Sequence, residues 1–386
     1  MANSEDRSFK TVQEIGRINA FFPVLQQLGN RWAASRPWEG RVIALNMHLT
    51  TLTAVLIREL TLGGGKFVVT AANPATTDPA TVDFLRGQGL DVYTGGDMKN
   101  RHLQALQHEP EFLVDVGFGL ISTLLDERPK AAAEVLGAIE VTRTGITKLK
   151  ARSDLPFPVM NINDGRLKNA VENRHGVGEG IWQAVSLLTG MHLSGRRLAV
   201  IGYGPVGKGL AAYARAAGMN VEVVEKEPCS RLLAHYDGFP TPSLKSALGR
   251  VGVVVTATGH KDAIQLQDLG HARDGLVLLN AGHGGDEINV SSIRDGATRV
   301  DHVSDQVIRY RIESGARVTV LGNGHPLNIV LNSGSPEPVL LHFAVLGLGL
   351  EALCKSTFMP GELMVPDHIE DEAAVLALEA LNLAGG

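Results

Sequence analysis

Residues 200–209 read VIGYGPVGKG, directly after the apolar, β-prone run RRLAVI and directly before the helical pattern KGLAAYARAAG. Gly202 allows a tight turn out of a strand, and Gly204 lets the backbone approach a pyrophosphate. Gly207 lets the following helix pack close on that strand, with Pro205 and Val206 opening its first turn. An anion placed there meets free N–H groups and the positive end of the helix dipole. The next β-prone run, 221–224, ends in Glu225 about 20 residues on, where a carboxylate binds the ribose hydroxyls of NAD and repels the 2′-phosphate of NADP. Lys226 beside it softens that preference. A glycine-rich turn that binds nothing is the competing reading. Strand, glycines, helix and acid falling in that order favour the dinucleotide.

Working outward, VGVVVTATG, GLVLLNAG and ARVTVLGNG continue the series on the C-terminal side, so a parallel sheet of Rossmann type is expected there. On the N-terminal side RVIALNM (41–47), KFVVTAA (66–72), LDVYT (90–94) and FLVDVG (112–117) alternate with helix-length segments. They predict another doubly wound parallel sheet. The fold class is therefore α/β with two such domains. The apolar stretch 339–354, VLLHFAVLGLGLEALC, reads as too short to span a bilayer and contains His342 and Glu351. It is expected as a buried core helix that returns to the first domain.

Composition bounds the function. A chain of 386 residues, 44 % apolar and 20 % charged, can bury two cores and is neither disordered nor fibrous. Its 44 glycines are about 11 % of the chain against a usual share of roughly 7 %, which suits tight turns and close approach to a ligand. With 36 basic and 41 acidic residues the net charge is −5, and no dense basic run is present. Nucleic acid is thus not an expected partner. Cys229 and Cys354 make no disulfide framework, and the polar start MANSEDRSFK lacks a signal-peptide core. A cytoplasmic enzyme is expected, with no membrane partner and no metal.

Three places carry candidate chemistry. In NINDGRLKNAVEN (161–173), Lys168 and Glu172 are four apart and share a face if the segment is helical. A solvated surface pair is the plainer reading; as chemistry, a partly buried lysine takes a proton from a sugar hydroxyl that the acid holds in place. His48 stands at the end of a strand, where ligands collect in α/β sheets, and reads equally as a core-edge histidine. His283, bracketed by glycines in NAGHGGDEI, suits a residue held against a cofactor.

Together these segments resemble the adenosylhomocysteinase (S-adenosyl-L-homocysteine hydrolase) family. MHLTTLTAVLI, AANPATTD, TRTGITKL, NINDGRLKNAVEN, GYGPVGKG, VEKEP, TATG, NAGHGGDEI and PLNI occur in the family's order and spacing over nearly the whole chain. The resemblance implies transient oxidation of a nucleoside 3′-hydroxyl with bound NAD, which acidifies the C4′ proton. Elimination of the 5′ substituent, addition of water and re-reduction follow, so NAD is not consumed. It implies Lys168 as the base at the 3′-hydroxyl, Glu172 where the family has Asp, His48 near C4′ and C5′, and Thr50 as a substrate contact. Thr142, Thr144, Asn173, Glu225, His283 and Asn328 match NAD-binding residues. Arg143, Ser230, Thr256, Thr258, Ala281 and Gly282 complete the cofactor set, and His283 counts toward the substrate as well. The implied domains are 1–178 for the substrate, with 335–368 returning to it, 179–334 for NAD, and a short tail, 369–386. A homo-oligomer, dimer or tetramer, is implied too.

The departures cluster. Leu52 stands where the family has a carboxylate that reads adenine, Val116 replaces the second Asp of DDGGD, and Val141 replaces a pocket Glu of SEETTTG. Ser335 replaces the histidine of GHPS that gates entry. The chain ends at NLAGG, without the family's Lys- and Tyr-bearing tail. Three carboxylates exchanged for aliphatics remove charged acceptors from one pocket. The leading expectation is an enzyme that keeps the oxidise–eliminate–reduce cycle but acts on another nucleoside. A dehydratase that loses water to give a 4′,5′-alkene, as in antibiotic nucleosides of the angustmycin type, fits this best. A divergent S-adenosyl-L-homocysteine hydrolase comes second, and a non-catalytic NAD-binding regulator third.

Overall fold

The computed structural model describes residues 4–282 and 285–384. The chain forms two compact units, one from residues up to 168 together with those from 336 on, the other from 169–335. Unit one contributes β1 (Val42–Met47), β2 (Lys66–Ala71), β3 (Asp91–Tyr93), β4 (Phe112–Asp115), β5 (Gly137–Glu140) and β6 (Pro158–Asn161). Unit two contributes β7 (Arg197–Ile201), β8 (Asn220–Val224), β9 (Val253–Thr256), β10 (Leu276–Asn280), β11 (Ala297–Ser304), β12 (Val307–Ile312) and β13 (Arg317–Leu321). The chain then returns to unit one for β14 (Gly361–Met364).

The unit-one sheet has the order β14-β6-β5-β4-β1-β2-β3 and is parallel throughout. Its central strands are buried along nearly their whole length, as a parallel sheet covered on both faces requires. Unit two has the order β11-β12-β13-β10-β9-β7-β8. Alternate residues of its strands feed separate cores. Leu198, Val200, Val253 and Val255 face one cluster, while Ala199, Ile201 and Val254 face the other.

Four expectations need correction. The unit-two sheet is parallel only from β13 to β8, because β11, β12 and β13 pair antiparallel. The edge strand β11 is mostly exposed and so carries polar residues that hide it from an apolar-run reading. The helix expected at 339–354 begins earlier and runs 20 residues, Pro336–Lys355, long and apolar enough to cross a membrane by composition. Yet 72 % of its most apolar window is buried inside the protein, where it packs against β5 and the helices Val24–Ser35 and Thr51–Thr61. Residues 369–386, expected as a short tail, lie largely in the helix Asp367–Ala384, whose Ala373, Ala377 and Ala380 are buried. Finally, Lys168–Val177 is a π-helix rather than an α-helix, so positions 168 and 172 fall just short of one turn apart.

Candidate active site

In unit one the register brings scattered residues to a single edge. Asn46, Asp115, Glu140 and Asn161 pair side by side across β1, β4, β5 and β6. The residues that follow them, among them His48, Val116 and Val141, therefore emerge at neighbouring carboxyl ends, where ligands of parallel α/β sheets bind. His48 is half-buried, and its Nδ1 is 2.6 Å from Thr76 Oγ1, which fixes the ring. Thr50 caps the helix Thr51–Thr61, and its N–H donates to Thr53 Oγ1 at 2.9 Å. Leu52 lies in that helix's first turn. Val116 and Val141 are buried, 8 % and 5 % exposed.

Beneath this edge lies a pair of buried carboxyl groups. Asp115 accepts from Asn46 Nδ2 at 2.7 Å and Ile121 N at 2.8 Å. Glu140 accepts from the N–H groups of Gly117, Phe118 and Thr142 and from Thr142 Oγ1, at 2.8–3.1 Å. Burial raises the Asp115 carboxyl, and burial together with the Asp115 charge pushes Glu140 up to about 8. The pair thus retains a proton while holding both the turn after β4 and Thr142. Thr142 in turn caps the helix Arg143–Lys150 through Gly145 N at 3.0 Å. Thr144 is half-buried; Arg143 is exposed and ion-paired with Asp164 at 3.2 Å. Lys168 is half-buried within unit one.

Unit two carries the dinucleotide loop. Gly202 has φ +98°, and a Cβ there would lie 2.5 Å from Ala257 O. A Cβ on Gly207 would lie 2.1 Å from Gly202 O. Gly204, by contrast, meets nothing within 4 Å and caps the helix Pro205–Ala216 without any side-chain bond. Room for an anion beside uncapped N–H groups is what a pyrophosphate needs. Behind the loop, Gly178 packs against Gly209, where a Cβ on Gly178 would be 2.8 Å from the Gly209 carbonyl carbon. Glu225 is half-buried and oriented by Tyr203 N at 2.7 Å, Lys226 N at 2.6 Å and Glu227 N at 2.9 Å.

The remaining cofactor candidates line the same carboxyl edge or the segments beside it. Ser230 lies in the helix Pro228–Tyr236, and its N–H donates to Glu227. Thr256 Oγ1 donates to Asn280 Oδ1 at 3.0 Å, which also accepts from Gly282 N at 2.7 Å. Ala281 N donates to Thr256 O at 2.8 Å. Thr258 is held through N–H and hydroxyl by Glu287, a buried carboxyl whose pKa burial raises. Asn173, in the π-helix, and Glu172, buried beside it, belong to unit two. Asn328 Oδ1 is buried with no hydrogen-bond partner among the described residues, an acceptor awaiting a donor such as a carboxamide. Ser335 is half-buried and ends unit two. His283 lies outside the described residues. These features fit NAD: an open glycine turn, a pre-oriented acid and an orphan buried acceptor.

Residues 173–334 match the model of the S-adenosyl-L-homocysteine hydrolase NAD-binding domain. The S-inosyl-L-homocysteine hydrolase of Methanopyrus kandleri is 33 % identical over 373 residues, 94 % of this chain and 88 % of that protein. Adenosylhomocysteinases of a Nostoc species and of Pyrococcus abyssi are 32 % and 30 % identical over 94 % and 96 % of this chain, and 88 % and 91 % of theirs. The chain belongs to the S-adenosyl-L-homocysteine hydrolase family. It is an NAD-dependent, adenosylhomocysteinase-like enzyme, a divergent member with NAD as its cofactor. Among solved structures, a dipicolinate synthase from Bacillus halodurans shares the fold alone, with a TM-score of 0.53 at 12 % identity over 83 % of this chain and all of that one.

Sequence reasoning passed over Glu287, Asn280 and the roles of Asp115 and Glu140. The signal was there in acids and amides ending apolar runs, FLVD, GAIE and LVLLN, where a parallel strand gives way to its loop.

Proposed function

We propose that this member of the S-adenosyl-L-homocysteine hydrolase family acts on a nucleoside other than S-adenosyl-L-homocysteine and eliminates a small 5′ substituent, water, to leave a 4′,5′-alkene. What supports the reading is the contrast between Lys168, Glu172 and His48, all present, and the buried aliphatics Val116 and Val141 at adjacent strand ends, with Leu52 in the helix that follows β1. Bound NAD supplies a hydride acceptor that later returns the hydride. Lys168 takes the proton of the 3′-hydroxyl as the C3′–H bond breaks, with Glu172 orienting that hydroxyl. His48, its ring fixed by Thr76, serves the proton transfers at C4′ and C5′. Loss of the C4′ proton and of hydroxide from C5′ forms the double bond, and Lys168 returns its proton to the 3′-oxygen, so that the net change is loss of water.

A divergent homocysteine-releasing hydrolase is the second reading, favoured by the similarity to S-inosyl-L-homocysteine hydrolase and adenosylhomocysteinase. Incubation of the NAD-loaded protein in deuterated water with adenosine, inosine and S-adenosyl-L-homocysteine separates them. The proposal expects deuterium at C4′ of the recovered nucleoside, together with an unsaturated product that has lost water. Robust homocysteine release overturns it in favour of the hydrolase.

A further inference from the structure

The helix Pro336–Lys355 runs antiparallel to β5. Leu353 Cδ2 lies 3.2 Å from where a Cβ on Gly137 would sit, and Ile139 Cδ1 lies 3.6 Å from that position on Gly349. Four helical residues, about 6 Å at ~1.5 Å each, thus match two strand residues at ~3.3 Å each. Seven residues further toward the helix start, on the same face as Gly349, stands His342. It is therefore level with Val141 and Thr142, just past the strand's carboxyl end. The residue is 2 % exposed, and neither ring nitrogen has a hydrogen-bond partner among the described residues. Burial and the nearby charge of Lys168 keep it neutral.

A neutral imidazole carries one donor and one acceptor, and leaving both unmet in an interior is costly where Leu or Phe would fill the space freely. Every other residue from 340 to 350 in this helix is apolar or glycine. Buried unsatisfied groups in native proteins call for a partner outside the polypeptide. We propose that His342 is a substrate-binding residue, exchanging hydrogen bonds with a neutral polar group of the nucleoside beside Lys168. It thereby replaces, with a group that both donates and accepts, the acceptors that Leu52, Val116 and Val141 do not offer. This rests on the nucleoside reading above.

The test compares wild type, His342→Leu and His342→Gln as NAD-loaded proteins, by thermal melting and by calorimetric titration with adenosine and inosine. His342→Leu is expected to melt at or above the wild-type temperature without nucleoside, yet to bind nucleoside about ten- to a hundredfold more weakly. His342→Gln, which keeps a donor and an acceptor, should recover part of the loss. Nucleoside affinity within twofold of wild type in both variants overturns the assignment; should the Leu variant fail to fold, His342→Phe, which likewise lacks both hydrogen-bonding groups, takes its place under the same criterion. A wild-type protein that binds neither nucleoside defeats the nucleoside reading itself, and this one with it.

Discussion

In unit two, the turn after β7 offers an anion backbone N–H groups and open space rather than side chains. Gly202 and Gly207 cannot accept a side chain without meeting a carbonyl at 2.5 and 2.1 Å, and Glu225 is aimed by three N–H groups of the same unit. In unit one, the ends of β4 and β5 present side chains, Val116 and Val141, above a carboxyl pair that holds the turns in place. Backbone recognition is bound up with the fold and resists change. Side-chain recognition can be exchanged residue by residue while the supporting hydrogen bonds stay. On this physical ground cofactor binding is harder to alter by single substitutions than substrate binding.

Four predictions press on that contrast. The largest effect is expected at Lys168, the base proposed above for the 3′-hydroxyl. Lys168→Ala should lower cofactor reduction by nucleoside roughly 100- to 10,000-fold while NAD released on denaturation stays at the wild-type amount. Rapid NADH absorbance in the variant would reduce Lys168 to a helix-surface residue.

Next, the glycines should separate fold from recognition. Gly207→Ala is expected to cost about 3 kcal/mol in chemical denaturation, since its Cβ meets the Gly202 carbonyl. Gly204→Ala, at φ −70° in open space, should stay within about 0.5 kcal/mol of wild type yet bind NAD more weakly. Equal stability losses would mean that the two glycines do not divide these tasks.

Glu225→Ala should weaken NAD binding by about 1–3 kcal/mol, read by calorimetry on protein stripped of cofactor. A gain in NADP affinity alongside would sharpen the role of its charge, whereas unchanged NAD affinity would show that the acid serves the turn alone.

The smallest effect belongs to the carboxyl pair. Glu140 has a folded pKa near 8 against an ordinary 4.5. A carboxyl raised on folding adds stability at low pH and loses it as pH climbs to the folded value. Stability should therefore fall steadily as pH climbs from about 5 to about 8 through this pair. Glu140→Gln should flatten that part of the slope; an identical slope in the variant would place the proton elsewhere.

Much of the unit-two edge was legible because its parts are contiguous. Gly202, Gly204, Gly207 and the first turn of the following helix lie within one short segment, and Glu225 comes one crossover later. The strands β5, β6 and β14 were missed because each is short and opens on a residue that reads as a turn, Gly137, Pro158 or Gly361. The hairpin of β11 and β12 was missed because its edge is polar. The π-helical turn at Lys168–Val177 has no sequence signature that separates it from an α-helix.

Local chemistry thus determined the fold class and the NAD loop, since both depend on residue types at short spacing, whereas the reading of Leu52, Val116 and Val141 as exchanged acceptors rests on the family resemblance. What needed the folded chain was adjacency. The pairing of Asp115 with Glu140, the burial of Asn328's orphan acceptor and the burial of His342 near the charge of Lys168 depend on residues far apart in sequence. Strand register and helix packing set those distances, and both follow from how whole elements bury their apolar faces against each other, which no single segment encodes.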